Sequence, residues 1–420
     1  MVVKYIINYL LRDNSLSHLV GYCTKDCCDK YKVIIIPSDF FNPDIFGTKK
    51  SIPQLPLQQI KGTPVLYGKP LIEKVNDTIV CHSDIIASTF FMISRYEEYL
   101  FPESNLDIHG RYIGSTSFAA KANILFRPIV DEYSKFLRDL LKESGVNVPP
   151  INAKTNIYLT HDVDTLTLYR RLRGALGGIR RAINGKGPDT ITSVFNSIKD
   201  IETDPAFTFS DIIEADSRIT DAKKIYFIKA AKKVIGFDYP GYSLNDKDFK
   251  YFSSKVLKEN TFFGLHTSYQ SGANINLVHF EYHKLQNAIT EKLRYNRWHY
   301  LRIPNATDMN ILYENGIEED FSVCHADIVG YRLGTTRAVN YINPATKEVS
   351  ELILHPLSIM DATLSNYMNL PFDEALSLCQ QTIDIIKYYQ GDICLLWHNT
   401  SFNPQSYHKE LYNKVIDYLL

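Results

Sequence analysis

The stretch Ile157-Tyr-Leu-Thr-His-Asp-Val-Asp164 decides how the second half of the chain is interpreted. Its first four residues predict a buried strand, which runs directly into two carboxylates spaced two residues apart. Because side chains alternate along a strand, Asp162 and Asp164 are expected on one face, and His161 and Val163 on the other. Two close carboxylates repel each other and raise one pKa unless a cation lies between them. An Asx turn that caps a helix explains the same residues equally well.

Short apolar runs of this kind recur through residues 152–420 and alternate with stretches in which apolar residues have helical spacing. The runs are IYLT (157–160), IYFIKA (225–230), FFGLH (262–266), IVGY (328–331), ELILH (351–355) and ICLLW (393–397). Strands that are buried on both faces and alternate with helices imply a parallel sheet. This segment is therefore predicted to be α/β, either closed as a β/α barrel or open as a doubly wound sheet.

The residues before this pattern are predicted to form a separate domain, residues 1–148, ahead of a second domain at 152–420. Gly, Asn and a Pro pair at 144–153 interrupt two patterned regions and mark the boundary. The first domain is expected to be a smaller, mixed α/β unit with an accessory role. Its signals are a buried strand at YKVIIIP (31–37) and helical spacing of apolar residues over 83–100 and 126–142.

The charge balance excludes some classes of partner. The 420 residues carry 46 Lys+Arg and 47 Asp+Glu, which argues against a chain built to coat nucleic acid or anionic lipid but leaves room for a local basic patch. No window approaches the roughly 20 apolar residues that a membrane span needs, and the N-terminus lacks the order of a signal peptide. Seven scattered cysteines indicate free thiols in a reducing compartment. We therefore expect a cytoplasmic protein without a membrane span or nucleic-acid partner; none of these features specifies an oligomeric state.

Two further apolar runs end in a histidine, at His266 and at His398. The carboxyl ends of parallel strands are where β/α proteins build their sites, so these histidines and the Asp-x-Asp pair are expected to converge. Histidine and aspartate are ligands of Zn²⁺, and also of iron, cobalt or nickel. The sequence thus predicts a metal site at the carboxyl end of the sheet.

On these motifs, residues 155–420 resemble polysaccharide deacetylases of carbohydrate esterase family four, in the branch whose first motif reads Asp-x-Asp. The resemblance implies a distorted (β/α) barrel and a bacterial, metal-dependent hydrolase, with zinc as the first expectation. Its substrate would be an N-acetylated or similarly acylated sugar or nucleotide-linked sugar in polysaccharide biosynthesis. Residues 94–100 (SRYEEYL) and 127–133 (RPIVDEY) resemble an uncharacterised domain that precedes such modules in bacteria, which implies no activity.

The resemblance also implies roles for individual residues. It makes Asp162 the catalytic base and Asp164 a metal ligand. The motif Leu395-Leu-Trp-His398 is similar to the family's last motif, whose histidine is the general acid. The motif Tyr300-Leu-Arg-Ile-Pro304 is similar to the one whose arginine orients the base, which gives that role to Arg302.

The second family motif is matched only in part. It reads His, Ser or Thr, two residues, then His, and both histidines bind the metal. His266 and Thr267 match its start, but Gln270 stands at the last position. The resemblance makes His266 a ligand and leaves the third place to Gln270 or to Ser271.

Other residues are candidates for substrate binding. Tyr269 and His161 adjoin the second and first motifs, and Arg332 lies between two glycines at a predicted strand end. Arg332 suits an anionic part of the substrate, and a loop salt bridge suits it equally. The basic run at 170–181 is expected to be an exposed helix, with recognition of a phosphate or nucleotide-linked sugar as the alternative.

The departure at Gln270 keeps other functions open. A binding or scaffold protein that has the fold without the catalysis is one alternative. Another is a C–N hydrolase of a non-sugar amide, because a fold specifies a reaction class better than a substrate.

Overall fold

The computed structural model describes residues 1–185, 190–403 and 406–420. In the first part of the chain, three parallel strands and one antiparallel strand form a sheet in the order β1-β2-β6-β5, and β3 and β4 form a separate hairpin. The elements are α1 (Val2–Leu11), β1 (Val20–Tyr22), β2 (Val33–Ile35), β3 (Gln58–Ile60), β4 (Thr63–Val65), β5 (Gly68–Val75), β6 (Thr78–Ser83), α2 (Ile85–Ile93), α3 (Tyr96–Leu100), α4 (Phe118–Lys121) and α5 (Ile129–Glu143).

Helix α2 lies at the centre of this first part. All nine of its residues are buried; seven are apolar, and the hydroxyls of Ser88 and Thr89 donate to backbone carbonyls one turn earlier. Asp84 begins the helix by accepting a hydrogen bond from the backbone N–H of Ala87 (2.9 Å). After α5, residues 146–156 have no regular secondary structure.

The second part contains a nine-stranded sheet in the order β12-β13-β11-β10-β9-β8-β7-β15-β14. Its strands are β7 (Ile157–Val163), β8 (Lys223–Lys229), β9 (Thr261–Thr267), β10 (Tyr295–Trp298), β11 (Glu319–Val323), β12 (Val339–Ile342), β13 (Val349–Pro356), β14 (Ile359–Met360) and β15 (Ile393–Leu396). Only β12 is antiparallel to its neighbour. The predicted α/β architecture with a large, mostly parallel sheet is confirmed.

Helices connect these strands. They are α6 (Leu172–Ile183), α7 (Ile191–Lys199), α8 (Phe209–Ser217), α9 (Lys247–Val256), α10 (Leu277–Gln286), α11 (Ile311–Glu314), α12 (Phe372–Tyr389) and α13 (His408–Leu419). No helix within the described ranges combines the length and apolar character needed to cross a membrane.

The large sheet curls until its two halves approach each other. The backbone N–H of Leu357 donates to Val323 at the end of β11 (3.1 Å), and that of Ser358 donates to Cys394 in β15 (2.9 Å). Across the interior, the rings of Tyr158 and Phe321 lie 5.1 Å apart. The strand order nevertheless has two ends, β12 and β14, so continuous strand pairing does not close the sheet.

The run at 328–331 is not a strand, contrary to the prediction. Its residues contact the first part of the chain instead: the backbone N–H of Tyr331 donates to the carbonyl of Leu125 (2.8 Å).

The next residue is Arg332, whose guanidinium forms a bidentate ion pair with Glu98 (2.8 and 2.7 Å). Burial alone raises the pKa of Glu98, but Arg332 and Arg95 hold it well below its usual range. The Arg332 side chain is only 5% exposed in this contact, so the structure contains the loop salt bridge that was the alternative to substrate binding.

A second buried contact joins the two parts of the chain at Asp131 in α5. The side chain is only 2% exposed. One oxygen accepts from the Thr335 hydroxyl (3.0 Å) and from Arg337 Nε (2.7 Å). The other accepts from the backbone N–H and the hydroxyl of Thr336 (2.7 and 2.8 Å). All of its partners lie in the second part, so the carboxylate is a major element of the interface.

Replacing Asp131 with alanine is expected to lower the free energy of unfolding by roughly 3–5 kcal/mol, because Arg337 would remain buried without its counter-ion. Asp139→Ala, on the same helix, removes only surface ion pairs with Lys135 and Lys142 and should change it by less than about 1 kcal/mol. Urea unfolding measures both. An equal loss of unfolding free energy in the two variants would show that the buried contacts of Asp131 stabilise the protein no more than a surface ion pair does.

Candidate metal and catalytic site

Acidic and histidine side chains from four strands meet at the carboxyl end of the curled sheet. They are Asp162 in β7, Asp164 directly after it, His266 in β9, His299 after β10 and His398 after β15. Four of them open onto a cleft of about 320 Å³, while His266 lies beneath it. The expected convergence of Asp162, Asp164, His266 and His398 is therefore present in the structure.

Three of these residues are arranged as a candidate metal site. One ligand atom from each of Asp164, His266 and His299 lies within 4.8 Å of the other two. The Nε2 atoms of His266 and His299 lie 3.4 and 3.2 Å from Asp164 Oδ1. His266 Nε2 and Asp164 Oδ1 are both buried without a hydrogen-bond partner. Because unpaired buried polar atoms are costly, this donor set fits a bound cation.

The other nitrogen of each histidine is held in place by a hydrogen bond. His266 Nδ1 donates to the carbonyl of Arg297 (2.9 Å), and His299 Nδ1 donates to Asp238 (3.0 Å). These bonds direct both Nε2 atoms toward Asp164, as outer-shell partners do in metal sites. Burial alone raises the pKa of Asp164, but His299 and His266 hold it well below its usual range.

The backbone beside His299 is strained. Tyr300 and Leu301 have φ angles of 61° and 54°, in the left-handed region that favours glycine. Such positions cost of order 1–3 kcal/mol each and persist only where the surroundings impose them. Arg111, from the first part of the chain, donates to the Tyr300 carbonyl (3.1 Å). The strained turn thus depends on both parts of the chain.

Asp162 differs from Asp164 in its partners. Its Oδ1 accepts from Arg297 Nη1 (3.0 Å), while its Oδ2 lies 3.4 Å from His266 Nε2 and 3.9 Å from His398 Nε2. Arg297 is completely buried and stacks over the ring of Phe227 at 4.5 Å. One oxygen of Asp162 is thereby fixed, and the other faces the cluster.

Arg297 occupies the place expected for Arg302. Arg302 instead donates to the carbonyl of Tyr269 (3.1 Å) and stacks on its ring at 4.3 Å. The reason is that β10 ends at Trp298, so residues beyond it have already left the sheet. The role predicted for Arg302 is corrected accordingly.

His398 is oriented by a buried carboxylate. Its Nδ1 donates to Asp361 Oδ1 (2.8 Å), and its backbone N–H donates to Asp361 Oδ2 (2.9 Å). Burial lowers the pKa of His398, but Asp361 above all, and then Asp164 and Asp162, raise it to a net value of about 10. The free Nε2 lies 3.8 Å from Asp164 and faces the cleft.

Gln270 lies outside the three-ligand cluster, so the expectation that it binds metal is corrected. Its amide donates to the carbonyl of Lys233 (3.0 Å) and to Asp238 (3.2 Å). Strand β9 ends at Thr267 and the chain then turns, which carries Gln270 away from the cleft. His299, from the neighbouring strand, stands in the cluster instead.

His161 does not reach the cleft, which corrects its candidacy for substrate binding. It is fully buried on the opposite face of β7, where Nδ1 contacts the Trp397 carbonyl (3.0 Å) and Nε2 contacts Asp216 (3.1 Å). Strand alternation places it there. Tyr269, the third candidate, lies near the rim, with its ring 5.5 Å from that of Tyr300.

The sequence analysis missed Arg297, His299, Asp238 and Asp361. Strand β10 is only four residues long and carries Asn296 and Arg297 inside it, so it lacks the apolar run that identified the other strands. The available signal was a histidine directly after Trp298, at the same kind of strand end as His266 and His398.

The comparisons with known proteins describe the two parts of the chain differently. Residues 8–145 match the model of a family of unknown function, DUF7033, in keeping with the resemblance to an uncharacterised domain. No curated protein matches the chain. A crystal structure from Mycobacterium smegmatis, provisionally described as a polysaccharide deacetylase, is similar at a TM-score of 0.41 and 12% identity, over 65% of this chain and 86% of that one.

Replacing His299 or His266 with alanine is expected to weaken zinc binding at least roughly 100-fold, because each supplies one of three buried donors. Gln270→Ala is the matched control and should keep the affinity within a few-fold of the unsubstituted protein. Competition with a chromophoric chelator measures all three. A large loss in Gln270→Ala with none in His299→Ala would refute this assignment.

Proposed function

We propose that the protein is a metal-dependent hydrolase that removes an N-acetyl or similar acyl group from a sugar or nucleotide-linked sugar. The observation that carries the proposal is the position of Asp162 Oδ2. This oxygen lies 3.4 Å from Nε2 of His266, in the three-residue cluster, and 3.9 Å from Nε2 of His398. A proton acceptor, a cation site and a histidine at one cleft are the parts that metal-assisted hydrolysis needs.

Asp164, His266 and His299 would hold the cation, and one carboxylate with two imidazoles suits zinc, with iron, cobalt or nickel as alternatives. When bound, such a cation polarises a substrate carbonyl and lowers the pKa of water toward neutrality. The aspartate and two histidines fill only part of a coordination sphere, which leaves room for substrate and water.

Asp162 is proposed as the general base. Arg297 holds Oδ1, so Oδ2 is the oxygen free to accept a proton from the attacking water. The guanidinium also fixes the carboxylate in direction, since it is itself held by Thr160 and by the Phe321 carbonyl. Positioned bases of this kind contribute roughly 10²–10⁴ to a rate.

His398 is proposed as the general acid. Asp361 holds Nδ1 and stabilises the protonated ring, which leaves the Nε2 proton directed into the cleft. That proton would pass to the leaving nitrogen as the C–N bond breaks. The proposed base, Asp162, and the proposed acid, His398, thus come from the carboxyl ends of two neighbouring strands, β7 and β15.

The sugar substrate is supported by the walls of the cleft and by the sequence resemblance. Tyr300 and Tyr367 line it, and the rings of Tyr269, Phe237 and His109 lie 4.8–5.9 Å from one another beside Tyr300. Aromatic rings with polar groups nearby suit the flat, partly apolar faces of sugars.

We further propose that the curled sheet is a distorted barrel, and that residues 1–148 and 152–420 are the accessory and catalytic domains of the protein. The scaffold alternative rested on Gln270, which lies outside the cluster.

Asp162→Asn is expected to lower turnover by roughly 10²–10⁴-fold while zinc remains bound, because an amide keeps the shape but cannot accept the proton. Acetate release and metal content are measured on the same preparation. His299→Ala is the comparison and should lose both properties. Unchanged turnover in Asp162→Asn would remove Asp162 from the mechanism.

A panel of N-acetylated sugars, nucleotide sugars and simple amides tests the substrate class. We expect at least one acylated sugar to be hydrolysed with a specificity constant at least roughly tenfold above that of the simple amides. Preference for the simple amides would support the non-sugar hydrolase. Zinc binding without hydrolysis of any compound would support the scaffold protein.

A further inference from the structure

Exposed apolar side chains are concentrated in residues 168–185, 190–198 and 234–239 of the described chain. Of 24 large hydrophobic residues that are exposed in the described parts, 11 lie in these segments. They are Leu168, Leu172, Leu176, Ile183, Ile191, Phe195, Ile198, Val234, Ile235, Phe237 and Tyr239. Apolar surface gathered in this way marks an interaction site more often than scattered residues do.

On α6 the exposed residues form a stripe. Leu172, Leu176 and Ile183 are 78%, 58% and 70% exposed, and their spacing of four and seven residues places them on one face. A different face, with Ala175 and Gly178, is buried. Helix α7 repeats this pattern with an exposed stripe whose members are Ile191, Phe195 and Ile198. Both helices therefore bury a small, weakly apolar face and expose their most apolar one.

The same region carries positive charge. From Thr165 to Gly185 the sequence has five arginines and no aspartate or glutamate. Arg173 and Arg180 are exposed and lie beside the stripe of α6, seven residues apart. Lys232 and Lys233, also exposed, directly precede Val234. An apolar stripe bordered by cations is typical of helices that lie in the interface of an anionic membrane.

These segments are continuous with the rim of the candidate site. Arg171, at the start of α6, donates to the carbonyl of Gly241 (2.9 Å) after the 234–239 loop. In that loop, the Phe237 ring lies 5.3 Å from that of Tyr300, which lines the cleft. Across the rim, Ile108 of the first part is 93% exposed.

We propose that α6, α7 and residues 232–239, here called the apolar–basic surface, dock on an anionic lipid bilayer. The apolar side chains would enter the headgroup region, while Arg173, Arg180 and the two lysines would lie near lipid phosphates. The mouth of the cleft would then be held close to the membrane plane. This inference does not depend on the hydrolase proposal.

A second copy of the chain is a poorer occupant of this surface. A twofold interface pairs a patch with itself, which would bring two arginine-rich helices together and repel. A lipid surface offers negative charge at every point. The chain's overall balance of 46 basic and 47 acidic residues shows that the charge is a local feature.

The test is co-sedimentation of the full chain with vesicles of phosphatidylcholine alone and of phosphatidylcholine mixed with phosphatidylglycerol. We expect binding only to the mixed vesicles, and weaker binding at high salt. Leu172→Glu combined with Leu176→Glu should reduce the partition coefficient at least roughly tenfold. Arg173→Ala and Arg180→Ala should each reduce it roughly fivefold. Tyr388→Glu, at a residue 67% exposed on α12, is the control and should bind normally.

Circular dichroism and thermal unfolding accompany each variant, so that loss of binding is separated from loss of fold. Absence of binding to the mixed vesicles at low salt would overturn the proposal. Unchanged binding in the double leucine variant would also overturn it. Self-association that this variant abolishes, without vesicle binding, would assign the surface to a subunit interface instead.

Discussion

The buried pair of Arg297 and Asp162 is the interaction on which the candidate site depends. Arg297 has no solvent exposure, yet it links β10 to β7 through Thr160 and Asp162 and to β11 through the Phe321 carbonyl. Its own carbonyl accepts from His266. Burying a guanidinium costs several kcal/mol, so these contacts must all form for the charge to be tolerated. The residue that fixes one oxygen of Asp162 therefore also fixes the ring of His266.

Asp162 and Asp164 are only two residues apart in the sequence, but their side chains have different contacts in the structure. Asp162 is bound by a permanent cation, and Asp164 faces two imidazole nitrogens. Both carboxylates lie 3.4 Å from His266 Nε2, and they differ in their second neighbour, which is Arg297 in β10 for Asp162 and His299 after β10 for Asp164. The strained turn at Tyr300 and Leu301 follows directly after His299, and Arg111 from the other part of the chain donates a hydrogen bond to this turn.

The parts of the structure that follow from strand periodicity could be predicted from the sequence. Long apolar runs identified β7, β8, β9, β13 and β15, and the rule that sites lie at their carboxyl ends brought Asp162, Asp164, His266 and His398 together. Side-chain alternation also predicted that His161 lies on the opposite face of β7, which conflicts with its proposed role in substrate binding.

Strand β10 could not be found in this way because Asn296 and Arg297 interrupt its pattern. The role of Gln270 was inferred from motif spacing, which does not show that the chain turns after Thr267. Residues 328–331 have the composition of a strand but pack on another part of the chain, a tertiary effect that local sequence does not encode.

Two buried arginines of the second part, Arg332 and Arg337, have their carboxylate partners in the first, at Glu98 and Asp131. Their positive charges are neutralised only when both parts are present. A fragment that kept residues 152–420 alone would expose both guanidinium groups to water without their carboxylate partners. The charges of the two parts are thus matched to each other, and exchanging either part for an unrelated one would leave these arginines without a counter-ion.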